Sequence, residues 1–207
     1  MKPRGRFVLA AIVGGVVIFI WGAISHMVLL KGAGFSHLEN DEVVAAELAH
    51  SIPHDGLCFL PSADFSRSAT NAENAALEAR ARKGPTGMVL FHRSGSELVT
   101  GRKLLIQFFS ELLAAAIGVL VLSRTVAAYW LRVLMMGLIG TFGVLSISTI
   151  YWNWYGFPDA FFVAQLLDKA AGWLLAGAVM AAIVPRHSVR GGAARLCRRM
   201  RTDRFSA

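Results

Sequence analysis

Four stretches of the chain stay apolar for long enough to cross a bilayer: Phe7 to Leu30, Leu104 to Leu122, Ala127 to Ile150 and Ala160 to Val184. A helix needs roughly 20 apolar residues to span the hydrocarbon layer. Between the first and second runs the pattern changes. Asn40 is placed to cap a helix over "DEVVAAELAHS", where Val43, Val44, Glu47 and Leu48 repeat at helical spacing and Pro53 ends it. "GLCFLP" reads as a short strand. Thr70 and Glu73 form the S/T-x-x-E capping pattern of a second helix, "NAENAALEARARK", which stops at Gly84-Pro85. "GMVLFHR" reads as a second strand. The pattern predicts an all-α membrane four-helix bundle with a small α/β extracytoplasmic domain inserted between helices 1 and 2. The divisions are 1–31 for the N-terminal tail and first span, 32–103 for the insert, 104–185 for spans two to four, and 186–207 for a basic cytoplasmic tail.

Small residues recur within the spans at spacings of three and four: Gly14, Gly15 and Gly22; Ala114 and Gly118; Gly137, Gly140 and Gly143; Gly172, Ala176 and Gly177. Such stripes let helix backbones approach closely in lipid, so a packed bundle is expected.

Composition agrees with a membrane chain: 55% of the 207 residues are hydrophobic and 16% charged. The opening "MKPRGR" precedes an apolar run longer than the roughly 7–15 residues of a secretory signal, so the first segment reads as a retained signal-anchor. Charge then sets orientation. Lys2, Arg4, Arg6, Arg124, Arg132 and seven arginines from Arg186 onward face one acid, Asp203. Residues 32–102 carry nine acids and six bases. Both termini are therefore expected in the cytoplasm and the insert outside it. The net charge of +8 reports topology and not nucleic-acid binding. The Arg-rich tail reads as a solvated positive-inside segment, with anionic lipid as its alternative partner.

The stretch "STIYWNWYGFPDAFF" gathers aromatic residues beside a helix break. Tyr151, Trp152, Trp154 and Tyr155, with Trp21 on the first span, suit a membrane boundary, where rings with a polar edge settle. Gly156 and Pro158 mark a tight turn that makes the last two spans antiparallel neighbours. Asn153 between two tryptophans is placed to tie that turn or line a pocket.

Few ionisable groups lie at membrane depth: His26, Glu111, Asp168 and Lys169, with Gln107 and Gln165 one turn from the acids. Glu111 shares a face with Ala114 and Gly118, and Asp168 with Gly172 and Ala176. Ser146 and Thr149 lie at similar depth. A buried cluster of His26, Gln107, Glu111, Gln165, Asp168 and Lys169 is expected, serving as interhelical hydrogen-bond glue or as a pocket. Two carboxylates converging there would share a proton unless a cation intervened.

Other chemistry is thin. There is no Walker loop, G-x-S-x-G, H-E-x-x-H or C-x-x-C. His26 is the only histidine within a span, which excludes a bis-His haem there, and no cofactor is predicted; a bound lipid or a pigment on one His ligand stays open. Pro53 spoils the shared face of His50 and His54, so no metal site is expected. The topology puts a membrane between Cys58 and Cys197, so they cannot pair within one chain.

The words "WGAISHMVL", "GPTGMVLFH", "YWNWYGFP" and "DKAAGWLLAG", in this order, resemble a family of uncharacterised four-span bacterial inner-membrane proteins. The resemblance covers nearly the whole chain and implies location, with no activity attached. The sequence thus reads as an accessory or scaffold subunit of a larger inner-membrane complex, leaning away from an enzyme, with membrane lipids and other membrane subunits as partners. The alternative is a small transporter or ligand-binding sensor using the His/Glu/Asp pocket.

Overall fold

A computed structural model describes residues 3–64 and 66–186. The basic tail beyond, with Cys197, lies outside the described residues. Four helices are long and apolar enough to span a membrane, as the hydropathy requires. They are α1 (Pro3–Ile24), continued by a π-helical turn at Ser25–Leu29, then α4 (Gly101–Ser123), α5 (Tyr129–Tyr155) and α6 (Asp159–Ile183). The insert between α1 and α4 contains α2 (Asp41–Ser51), β1 (Gly56–Leu60), α3 (Asn71–Lys83) and β2 (Gly87–Phe91). β1 and β2 pair antiparallel, Gly56 opposite Phe91 and Leu60 opposite Gly87.

Glycine decides how the long helices pack. A Cβ at Gly15 would lie 2.8 Å from the Leu112 backbone, so α1 and α4 are backbone-close there. One at Gly172 would meet the Trp21 ring at 2.7 Å, and one at Gly140 the Lys169 carbonyl at 2.6 Å. α1 therefore packs against α4 and α6, and α6 against α5. The row α4–α1–α6–α5 folds back on itself only in the half remote from the insert. In that half Trp173, Met136 and Met180 converge on Gly118, within 3.1–3.5 Å of where its Cβ would sit. Gly22 and Gly143, predicted to join these seams, have open space instead.

At the end of the bundle remote from the insert, Arg132, one of the bases that carry the topology signal, is 1% exposed. Its Nη1 donates to the carbonyls of Ala181 at 3.1 Å and Val184 at 3.0 Å. Tyr129 donates its hydroxyl to the Ala178 carbonyl at 3.0 Å. Helix C-termini leave carbonyls without intrahelical donors, and these two side chains of α5 supply donors to the end of α6.

The insert is held by polar ties. Thr70 accepts from the Glu73 amide while Glu73 accepts from the Thr70 amide, which is the predicted capping box. Asn40 makes no side-chain cap on α2, contrary to expectation; the Asp41 carboxylate takes the Glu42 amide instead. Arg93, next to β2, donates to the Ala49 and Ile52 carbonyls at the end of α2. Its amide donates to Asp55 at 2.9 Å, which holds that carboxyl below the usual range.

Two outcomes follow from this packing. Gly15→Ala should destabilise the bundle by about 1–3 kcal/mol through overpacking against Leu112, whereas Gly22→Ala should be near neutral; detergent unfolding followed by circular dichroism measures both. Glu73 carries a carboxyl lowered to about 2 by the Arg67 guanidinium, then by the Thr70 amide and hydroxyl. Its contribution to α3 is therefore present above the ordinary value of 4.5 and lost as pH falls through about 2. A carboxyl NMR titration should inflect near pH 2, and an inflection at the ordinary value would refute the cap's role.

Candidate polar site in the insert-side half of the bundle

Asp168 sits on α6 one turn before Gly172, facing α1, and is 1% exposed. Trp21 of α1 lies flat enough on Gly172 for its Nε1 to donate to the Asp168 backbone carbonyl at 3.0 Å. That contact fixes the rotation of α1 against α6. One turn further, the helix widens into the π-helical turn, closed by the Leu30 amide on the Ser25 carbonyl at 2.8 Å. Such single wide turns re-aim the side chains they carry. Here the turn buries Ser25 completely and sets His26 Nε2 3.5 Å from Asp168 Oδ2.

Lys169 brings its Nζ to 3.2 Å from the same Oδ2. Neither carboxylate oxygen has a hydrogen-bond partner among the described residues, and the Ser25 hydroxyl has none either. The carboxylate is thus approached by Lys169 and His26 from two sides, without directed hydrogen bonds. A buried charge left without a counter-ion costs several kcal/mol, and Lys169 Nζ supplies a cation beside the Asp168 carboxylate. His26 is half exposed at 52% and Lys169 is about one-third exposed at 34%. Ser25 makes no hydrogen bond to His26, so the trio is not arranged as a nucleophile–base relay.

The expected six-residue cluster divides in the structure. His26, Asp168 and Lys169 come together. Glu111 instead accepts from Gln107 Nε2 at 2.6 Å, one turn along the same helix. No hydrogen bond or ion pair among the described residues joins Glu111 to Asp168. The reason is the helix order: α1 stands between α4 and α6 over this half, so two small-residue faces that both carry an acid meet α1 and not each other. Gln165 lines a slot between α4 and α5 together with Lys169. Ser25 and Ser148, another lining residue of that slot, had no signal in the residue pattern beyond being hydroxyls at membrane depth.

The aromatic residues also separate. Trp21, grouped above with the boundary rings, packs in the α1–α6 contact. Tyr151, Trp152, Asn153, Trp154 and Tyr155 form the last turns of α5, which Gly156 ends in the left-handed region at φ 70°. Trp152 Nε1 donates to Asp159 at 2.7 Å and its ring stacks on Phe162, tying the α5–α6 turn. Tyr155 packs on Phe59 of β1 at 5.8 Å, and Phe35 on Phe161 at 6.0 Å. These ring pairs join the insert to the bundle. Asn153 and Trp154 line an open groove of about 570 Å³ between them.

The division of the acids has a measurable consequence. Asp168→Ala should cost about 3 kcal/mol by leaving Lys169 without its counter-ion, and Glu111→Ala less than about 1 kcal/mol. Equal losses in detergent unfolding would mean that the two acids act in one site. Comparison of the chain with protein-family models, with curated proteins and with solved structures finds no match.

Proposed function

We propose that this chain is an accessory subunit of a bacterial inner-membrane complex, docking through the insert on the extracytoplasmic side, with both termini in the cytoplasm. The observation that carries the reading is that no described residue of the insert is buried. Neither α2 nor α3 contains a buried residue. Leu98 is 92% exposed, and Phe35, Val43, Leu90 and Val99 are each about 70% exposed or more. A sheet of two strands is marginal in water without a packed face, and both of its outer edges are open. Apolar surface of this extent on a folded element marks a contact with another protein. The orientation is supported by the excess of bases at the termini and in the turn joining α4 to α5.

In this reading Leu90→Asp with Leu98→Asp releases a stoichiometric partner from the chain purified in mild detergent, while the bundle keeps its helicity. A partner retained by that variant, or a wild-type chain that purifies alone, would sink the reading. Orientation is checked with Leu98→Cys in a Cys58→Ser, Cys197→Ser background: a membrane-impermeant maleimide should label it in intact cells.

A second reading, a small transporter or ligand-binding sensor, is favoured by the Asp168 carboxylate held between His26 and Lys169. It requires proton flux or proton-coupled uptake in liposomes that Asp168→Asn abolishes. No flux in the wild-type chain would leave the carboxylate as a packing element.

A further inference from the structure

The bundle is closed in the half remote from the insert and parted in the insert-side half. Met136 and Trp173 meet Gly118 in the closed half, but beyond them α4 and α5 separate and leave a slot of about 450 Å³. That volume is within the roughly 300–1,000 Å³ of ligand sites. The slot runs along α5 from Gly140 to Ser148 and along α6 from Trp173 to Gln165, about 12 Å at a rise of ~1.5 Å per residue.

Depth identifies what can fill it. Arg132 and the Val184 carbonyl mark one end of the bundle, and a hydrocarbon layer of ~30 Å measured from there along α6 ends near Ala164. Ser148 and Gln165 therefore lie at the insert-side boundary and Trp173 near the midplane. The slot is as deep as one leaflet's hydrocarbon. Its walls are apolar except for Ser148 and Gln165 toward the boundary end and Lys169 halfway along α6, whose side chain leans toward the insert end as helical side chains lean toward the N-terminus. At Gly143 a Cβ would meet nothing within 4 Å, so this residue widens the slot without serving the packing.

We propose that the slot binds one acyl chain of an anionic phospholipid, with the chain beside Gly143 and Trp173 and the phosphate at Lys169 and Gln165. Lys169 has three N–H donors and one carboxylate contact, at Asp168, whose Oδ2 His26 Nε2 also approaches at 3.5 Å. The ammonium thus keeps donors for a phosphate at the mouth. The slot's hydrocarbon would accept any lipid chain, and the charge at the mouth selects the headgroup. This site lies on the lipid-facing side of the bundle and is independent of the docking face of the insert.

Native mass spectrometry of the full chain in mild detergent tests it, with phosphatidylglycerol and phosphatidylcholine of identical chains as probes. One phosphatidylglycerol per chain should be retained, at least tenfold more tightly than phosphatidylcholine. Lys169→Gln should remove the preference. Gly143→Leu should weaken binding about tenfold by entering the slot, and it decides the matter if Lys169→Gln fails to fold, because a Cβ at Gly143 would meet nothing within 4 Å. Equal binding of the two lipids, a preference that survives Lys169→Gln in a folded chain, or no effect of Gly143→Leu would each overturn the proposal.

Discussion

The indole of Trp21 seated on Gly172 is the contact on which the rest of the architecture depends. It brings α1 against α6 closely enough for the ring nitrogen to reach the Asp168 carbonyl, and it aligns the wide turn so that His26 meets the carboxylate. Because α1 occupies that flank of α6, α4 is displaced to the far side of α1. α4 can then approach α5 only where Met136 and Trp173 fill the space at Gly118. The polar site and the lipid-facing slot are two results of one helix order. Filling the space at Gly172 with a side chain would disturb both, although Gly172 touches neither His26 nor the slot.

Much of the architecture is legible in the sequence because its signals are local. The four spans follow from length and apolarity, and α2, β1, α3 and β2 fall where period, caps and breakers place them. The capping box at Thr70 and Glu73 is visible at a separation of three residues. The helix order is not local. Small residues mark seams on every span, but nothing in them says which seam meets which, and Gly143 and Gly22 carry the same signal with no partner at all. The convergence of Glu111 with Asp168 assumed that two acid-bearing small faces would meet, and α1 intervenes. Trp21 reads as a boundary tryptophan because the preference of indole for the interface is a statistical property of lipid contact. The glycine opposite it gives it a packing partner on α6 that this preference does not foretell. Arg132 reads as a topology charge for the same reason, and α6 ending beside it makes it a cap.

The insert presents the opposite balance from the bundle. Its helices and strands are specified by capping, by Arg93 bridging α2 to β2, and by the ring pairs Phe59–Tyr155 and Phe35–Phe161. None of these removes its leucines and valines from water. In a chain of this composition, exposure along the spans is expected because lipid covers them. The insert's exposed apolar side chains lie outside the four spans, and that gives the docking reading more weight than an equal area of exposed leucine on α4 would have.

Asp168 needs a separate argument, since a buried ion pair is weak grounds for stability. Replacing such a pair with apolar side chains of similar volume is often neutral or favourable, because desolvation offsets the Coulomb gain. In lipid the glue explanation needs the carboxylate to make interhelical hydrogen bonds. Its oxygens make none among the described residues, and the interhelical bond at this position comes from its backbone carbonyl, which any residue would provide. Packing alone therefore does not account for an acid here. What the acid does is hold Lys169 and His26, one on each side, at the depth where the bundle parts. That places an ammonium at the slot and an imidazole against α1, with a single carboxylate between them.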